Sequence, residues 1–168
     1  MTQELIMATS LTMGLLAYAL IARWYVLPAL AERPLDEALV PLIIPHMFRY
    51  IGLGFLLSGV TSPDIHQGFA QPAAYGDLIA ALLAALTVVA LKSRWTVATP
   101  LVWLFTLVGS LDLLYAVTTG VRTVPAGQFG GMYFVPALVV PGLLVTHALV
   151  AHLAWRRVTC SRAVASTS

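Results

Sequence analysis

The chain has 168 residues, of which 60% are hydrophobic and only 10% charged, with a mean hydropathy of +0.89. A soluble domain carries about 25% charged residues, so this is the composition of a membrane protein. Nine Lys and Arg against seven Asp and Glu leave a net charge of +2, too weak and too scattered for the basic stripe of a nucleic-acid-binding surface, and that class is excluded.

The first apolar run, about Leu5 to Leu27, lies in MTQELIMATSLTMGLLAYALIARWY. It lacks the positive leader of a secretory signal, carries Glu4 instead, and has no small-x-small cleavage site, so it is expected to be a retained span. After the break AERPLDEA comes a second run, about Leu39 to Val60, which contains IIPHMFRYIGLGF with His46 and Arg49 one helical turn apart. The break TSPDIHQGFAQP precedes a third run, about Ala73 to Leu91, which holds Asp77. KSRW separates it from a fourth, about Val97 to Val117, which holds Asp112. TTGVRTVPAGQFGG then leads to a fifth, about Met132 to Trp155, with Pro136, Pro141, His147 and His152.

Each run supplies the roughly 20 helical residues that cross about 30 Å of hydrocarbon. Continuous runs without period-two alternation exclude an outer-membrane barrel. The expected fold is therefore all-α, an integral membrane bundle of five transmembrane helices in one domain over residues 1–157. A polar tail over 158–168 follows, with Cys160 as the lone cysteine and no internal disulfide.

Orientation follows from the cations. Arg23 and Arg33 flank the first connection, Lys92 and Arg94 fill the third, and Arg156, Arg157 and Arg162 follow the last span, whereas Arg122 alone lies on the other side. This asymmetry predicts the N-terminus outside and the C-terminus in the cytoplasm, with Trp24, Tyr25, Trp95 and Trp155 anchored near the inner interface.

An Arg or Asp at mid-membrane costs about 2.5 to 3.5 kcal/mol on the insertion scale, while each Leu, Ile, Val or Phe returns about 0.3 to 0.6. The second run can thus insert despite Arg49, but its charge needs a partner. Counting depth at about 1.5 Å per residue puts Arg49 near the bilayer centre and both Asp77 and Asp112 roughly 20 Å above the cytoplasmic ends of their spans. The three are expected to meet in the bundle interior as a site for a small ligand, a lipid headgroup or a proton, with transport as one use. Two carboxylates against one guanidinium leave one excess negative charge, which makes an Asp a candidate proton carrier. The alternative is an accessory membrane protein in which the cluster only fixes packing.

His46 and His147 match in depth in the inner half, the layout of a bis-histidine haem b or another metal or quinone redox site. His152 falls near the interface and five residues from His147, which does not pair them on one face. Pro45, Pro136 and Pro141 free carbonyls that in lipid need partners, through a kink or a pocket between the second and fifth spans. Gly52, Gly54, Ser58, Gly59, Gly109 and Ser110 permit close helix approach. Asp64, His66, Gln67, Arg122 and Gln128 are available as a polar lid on the outer side. No hydrolase, zinc-protease or phosphate-loop motif occurs, and no catalytic residue is expected.

The stretches HMFRYIGLGFLLSGVTSPD and QPAAYGDLIAALLAAL resemble a group of uncharacterised small bacterial multi-pass membrane proteins, over His46 to about Leu91. The resemblance implies a bacterial inner membrane and carries over no functional residues. The partners expected are the lipid bilayer, a small-molecule or lipid ligand, and a second copy in a homo-oligomer.

Overall fold

Gly, Pro and polar residues divide the apolar chain into five helices long and apolar enough to cross a membrane: Gln3–Leu30, Leu35–Leu56, Gln67–Lys92, Ala98–Thr123 and Val135–Arg156. The computed structural model describes residues 1–165, with side chains as far as residue 156. The fifth helix continues in its backbone to Ala165. The side chains of the tail expected over 158–168, Cys160 and Arg162 included, lie outside the described residues. Among the described residues no strand forms beyond an isolated bridge between Ser58 and Thr61.

Proline decides the helix types. Pro28 cannot donate a backbone hydrogen bond, and the first helix absorbs this with a π turn at Ala22–Val26, where the Leu27 N–H reaches back to the Ala22 carbonyl. The fifth helix does the same at Val135–Val139 ahead of Pro141, with the Val140 N–H donating to the Val135 carbonyl. The second helix is α from Leu35 to Ile43 and then tightens to a 3₁₀-helix over Ile44–Leu56, starting at the donor-less Pro45. A 3₁₀ run of 13 residues is long for this geometry, in which more than a few residues are uncommon.

The second helix packs along the third, and the third along the fourth. The first helix is peripheral: none of Gln3–Ile21 is buried, and it rests chiefly on the fifth. Gly14 and Gly142 set that contact, since a Cβ at Gly14 would lie 2.9 Å from the Pro141 ring and one at Gly142 would lie 2.9 Å from the Tyr18 ring. A hydrogen bond of 2.6 Å between the Ser10 and Tyr133 hydroxyls adds a polar tie. Such small-residue contacts and side-chain hydrogen bonds hold helices together where lipid removes the hydrophobic drive.

Two apolar clusters close the ends of the bundle. Leu39, Ile43, Phe105 and Val150 are central to one, toward Lys92. Phe55, Ile65, Phe69, Phe129 and Met132 form the other, under the loops that follow the second and fourth helices. These loops are bonded to each other: Ser62 N–H to the Gln128 carbonyl at 3.0 Å and Gly131 N–H to the Val60 carbonyl at 2.7 Å. Gly130 adopts φ 54° there, and a Cβ would meet the Val60 carbonyl, so only glycine suits this turn.

Candidate functional site

The 3₁₀ segment builds the site. Its buried residues are His46, Arg49, Gly52 and Phe55, spaced every third position. With three residues per turn they stack in one line, whereas in an α-helix each step of three would drift about 60° and turn Phe55 to the face opposite His46. The helix type thus turns one residue pattern into a single inward-facing column.

Arg49 is buried at 2% exposure, with its side chain fully enclosed. Its Nε donates to Asp77 Oδ1 at 2.7 Å, its Nη1 to the Gly109 carbonyl at 3.2 Å, and its Nη2 to Asp112 Oδ2. One planar fork therefore joins the second, third and fourth helices, a geometry that suits guanidinium and not ammonium. The second oxygen of each carboxylate accepts no hydrogen bond from the described residues.

Three glycines make room for these charges. A Cβ at Gly52 would overlap the Asp77 carboxylate, one at Gly76 would overlap the Asp112 carboxylate, and one at Gly109 would lie 2.6 Å from His147 Nε2 and 3.2 Å from Arg49 Nη1. Gly52 and Gly109 are legible in the sequence as small residues, but their role is to seat side chains as well as to bring helices together. Gly76, next to Asp77 on the third helix, shows its role only once the fourth helix brings Asp112 against it.

His46 and His147 lie directly beside this cluster. Sequence depth separates a carboxylate level from a histidine level; the structure joins them at Gly109, which touches both Arg49 and His147. The Thr146 hydroxyl has its own helix carbonyls to donate to, Gly142 at 2.9 Å and Leu143 at 3.1 Å. It is then the acceptor of the 2.9 Å bond from His46 Nε2. His46 Nδ1 and both ring nitrogens of His147 are buried and have no hydrogen-bond partner among the described residues. Phe105 covers the pair, edge-on to His46 at 5.0 Å and stacked on His147 at 4.9 Å.

The imidazoles touch each other with ring centroids 4.1 Å apart. Two imidazoles bound to one iron from opposite faces lie about 6 Å apart between centroids, with the macrocycle filling the gap. The pair as folded does not fit haem b. Among the described residues no group of three or more His, Cys, Asp and Glu suits a metal ion, and Arg49 places a cation against His147.

A cavity of about 220 Å³ opens among all five helices on the side away from Lys92. Its inner end is Arg49 and Asp77, and Glu4 stands on its lining near the start of the first helix. Among the described residues that line it these three alone are polar, and Phe48, Phe55, Phe69 and Phe129 contribute rings. Pro136, Val139 and Val140 form the wall of the fifth helix, so the kinked segment borders this space. Asp64, His66, Gln67, Arg122 and Gln128, the polar residues of the outer connections, are not among the residues that line it. His152 is exposed. Asp112 lies behind Arg49 and outside the lining.

A family model described as Domain of unknown function (DUF8737) matches residues 6–154. No curated protein and no solved structure matches the chain.

Proposed function

We propose that this chain, which belongs to the DUF8737 family, is an integral protein of a bacterial inner membrane that binds a small, mainly apolar molecule in the cavity ending on Arg49 and Asp77. The five apolar helices supply the spans. Seven cations on one side against Arg122 on the other support an outside N-terminus and a cytoplasmic C-terminus. The exposure of Trp24, Tyr25, Trp95 and Trp155 suits interfacial anchors at the inner face.

The cavity carries this reading. An ion pair kept only for packing needs no pocket at its end, whereas here a space of about 220 Å³ leads to Asp77. A site that is apolar along its walls and polar at one end is the usual form of a small-molecule pocket. Arg49 neutralises one carboxylate, and the other leaves the cluster with one formal negative charge in excess. In transport, the molecule would have to pass the apolar cluster of Leu39, Ile43, Phe105 and Val150, which closes the inner half here.

The test is a panel of small apolar fragments against the protein in detergent, read by melting temperature. A fragment that occupies the cavity raises it in proportion to ln(1 + [L]/Kd). Ala116→Phe, which fills the space from the fourth helix, should abolish the shift. Failure of every fragment to shift the wild type, or shifts that survive Ala116→Phe, would overturn the reading.

A further inference from the structure

Resting on the cavity reading, we infer that the ligand is a lipophilic ammonium cation, with its alkyl or aryl part along the walls and its charge between Asp77 and the phenylalanine rings that line the cavity. The charge count comes first. Arg49 spends Nε on Asp77, Nη1 on the Gly109 carbonyl and Nη2 on Asp112, and is therefore already engaged by the protein. The lining contains Glu4 and Asp77 and no cation other than this engaged Arg49. With Asp112 behind it, the Arg49, Asp77 and Asp112 group sums to one formal negative charge, and Glu4 adds a second. An anionic headgroup entering the cavity meets that excess with no free guanidinium to receive it. A cation meets a carboxylate whose second oxygen accepts no hydrogen bond from the described residues.

The rings come second. Phe55, Phe69 and Phe129 line the cavity and pack edge to face, with centroids 5.4, 6.2 and 5.7 Å apart. Ring faces attract cations most strongly where water is excluded, and quaternary ammonium groups are held this way in aromatic cages. Phe69 lies two helical turns before Asp77 on the third helix, and Phe55 two 3₁₀ turns beyond Arg49 on the second, so rings and carboxylate follow one another along the cavity. Apolar walls alone would accept any oily molecule; the carboxylates and rings together select the positively charged one.

The experiment compares benzyltrimethylammonium, its neutral carbon isostere neopentylbenzene, and 3-phenylpropanoate. Each is titrated calorimetrically into the purified full chain in detergent, with empty micelles as the reference. The cation should bind at least about tenfold more tightly than the isostere, and the anion more weakly still. Because Asp77→Asn leaves Arg49 with one partner fewer and is able to disturb the fold, the second variant is Glu4→Gln, at an exposed residue of the first turn. It should weaken the cation severalfold and leave the isostere unchanged. Equal or tighter binding of the isostere or the anion, or a Glu4→Gln effect common to all three probes, would overturn the cation assignment while leaving the cavity as a binding site. Absence of binding by all three, together with a failed fragment panel, would overturn both.

Discussion

Gly76→Ala is the sharpest probe of the charged cluster, because one methyl group is placed where only the Asp112 carboxylate now fits. The added Cβ would lie 2.7 Å from Asp112 Cγ and overlap Oδ1. Real contacts of a Cβ start above 3 Å, and the carboxylate cannot retreat without leaving Arg49 Nη2. Breaking one arm of a buried ion pair costs about 3 to 5 kcal/mol. Replacing a mid-helix Gly by Ala returns about 1 kcal/mol of helix propensity. The 11% exposure of the Asp112 side chain allows some relaxation toward water, so a net loss of about 2 to 3 kcal/mol is expected. Equilibrium unfolding of the detergent-solubilised protein measures it. The control is a double-mutant cycle: in an Asp112→Ala background the clash is gone, and Gly76→Ala should cost nothing or stabilise slightly. A Gly76→Ala single variant as stable as wild type would refute the placement of Asp112 against Gly76.

The remaining predictions probe the surroundings. His147→Phe removes two buried unpartnered ring nitrogens and keeps the stack on Phe105, so unfolding measurements should find it neutral or stabilised by about 1 kcal/mol or more; a clear loss would mean that those nitrogens have partners. Tyr133→Phe deletes the bond to Ser10 and should cost about 1 kcal/mol or less, with no further loss when Ser10→Ala is added. For topology, an impermeant maleimide on intact cells should label Asp64→Cys in a Cys160→Ser background, and should label native Cys160 only after lysis. Labelling of Cys160 in intact cells would invert the assigned orientation.

Much of this architecture was legible in the residues. Apolar runs bounded by Pro, Gly and charge gave five helices, because hydrocarbon thickness fixes how long such runs must be. The meeting of Arg49, Asp77 and Asp112 followed from the cost of an unpaired charge in lipid. The 3₁₀ geometry of Ile44–Leu56 was not legible, since Pro45 signals a disturbed helix without saying which way it adjusts. The 3₁₀ twist turns His46 and Arg49 to one face, and the reach of the Arg49 side chain to Gly109 brings the carboxylates beside the histidines, which counting depth along the helices does not reveal. Glu4 read only as an argument against a signal peptide, because its position at the cavity depends on where the first helix docks through Gly14 and Gly142.

The claim that the buried cluster serves a binding site is tested most directly by the variant Arg49→Leu, Asp77→Asn, Asp112→Asn. Replacing all three removes the charges together and leaves none unpaired, so the fold should persist with near-wild-type stability. Titrated with benzyltrimethylammonium, this folded variant should have lost binding by at least about tenfold. A folded triple variant that binds as wild type does would contradict the account and reduce the cluster to a packing device.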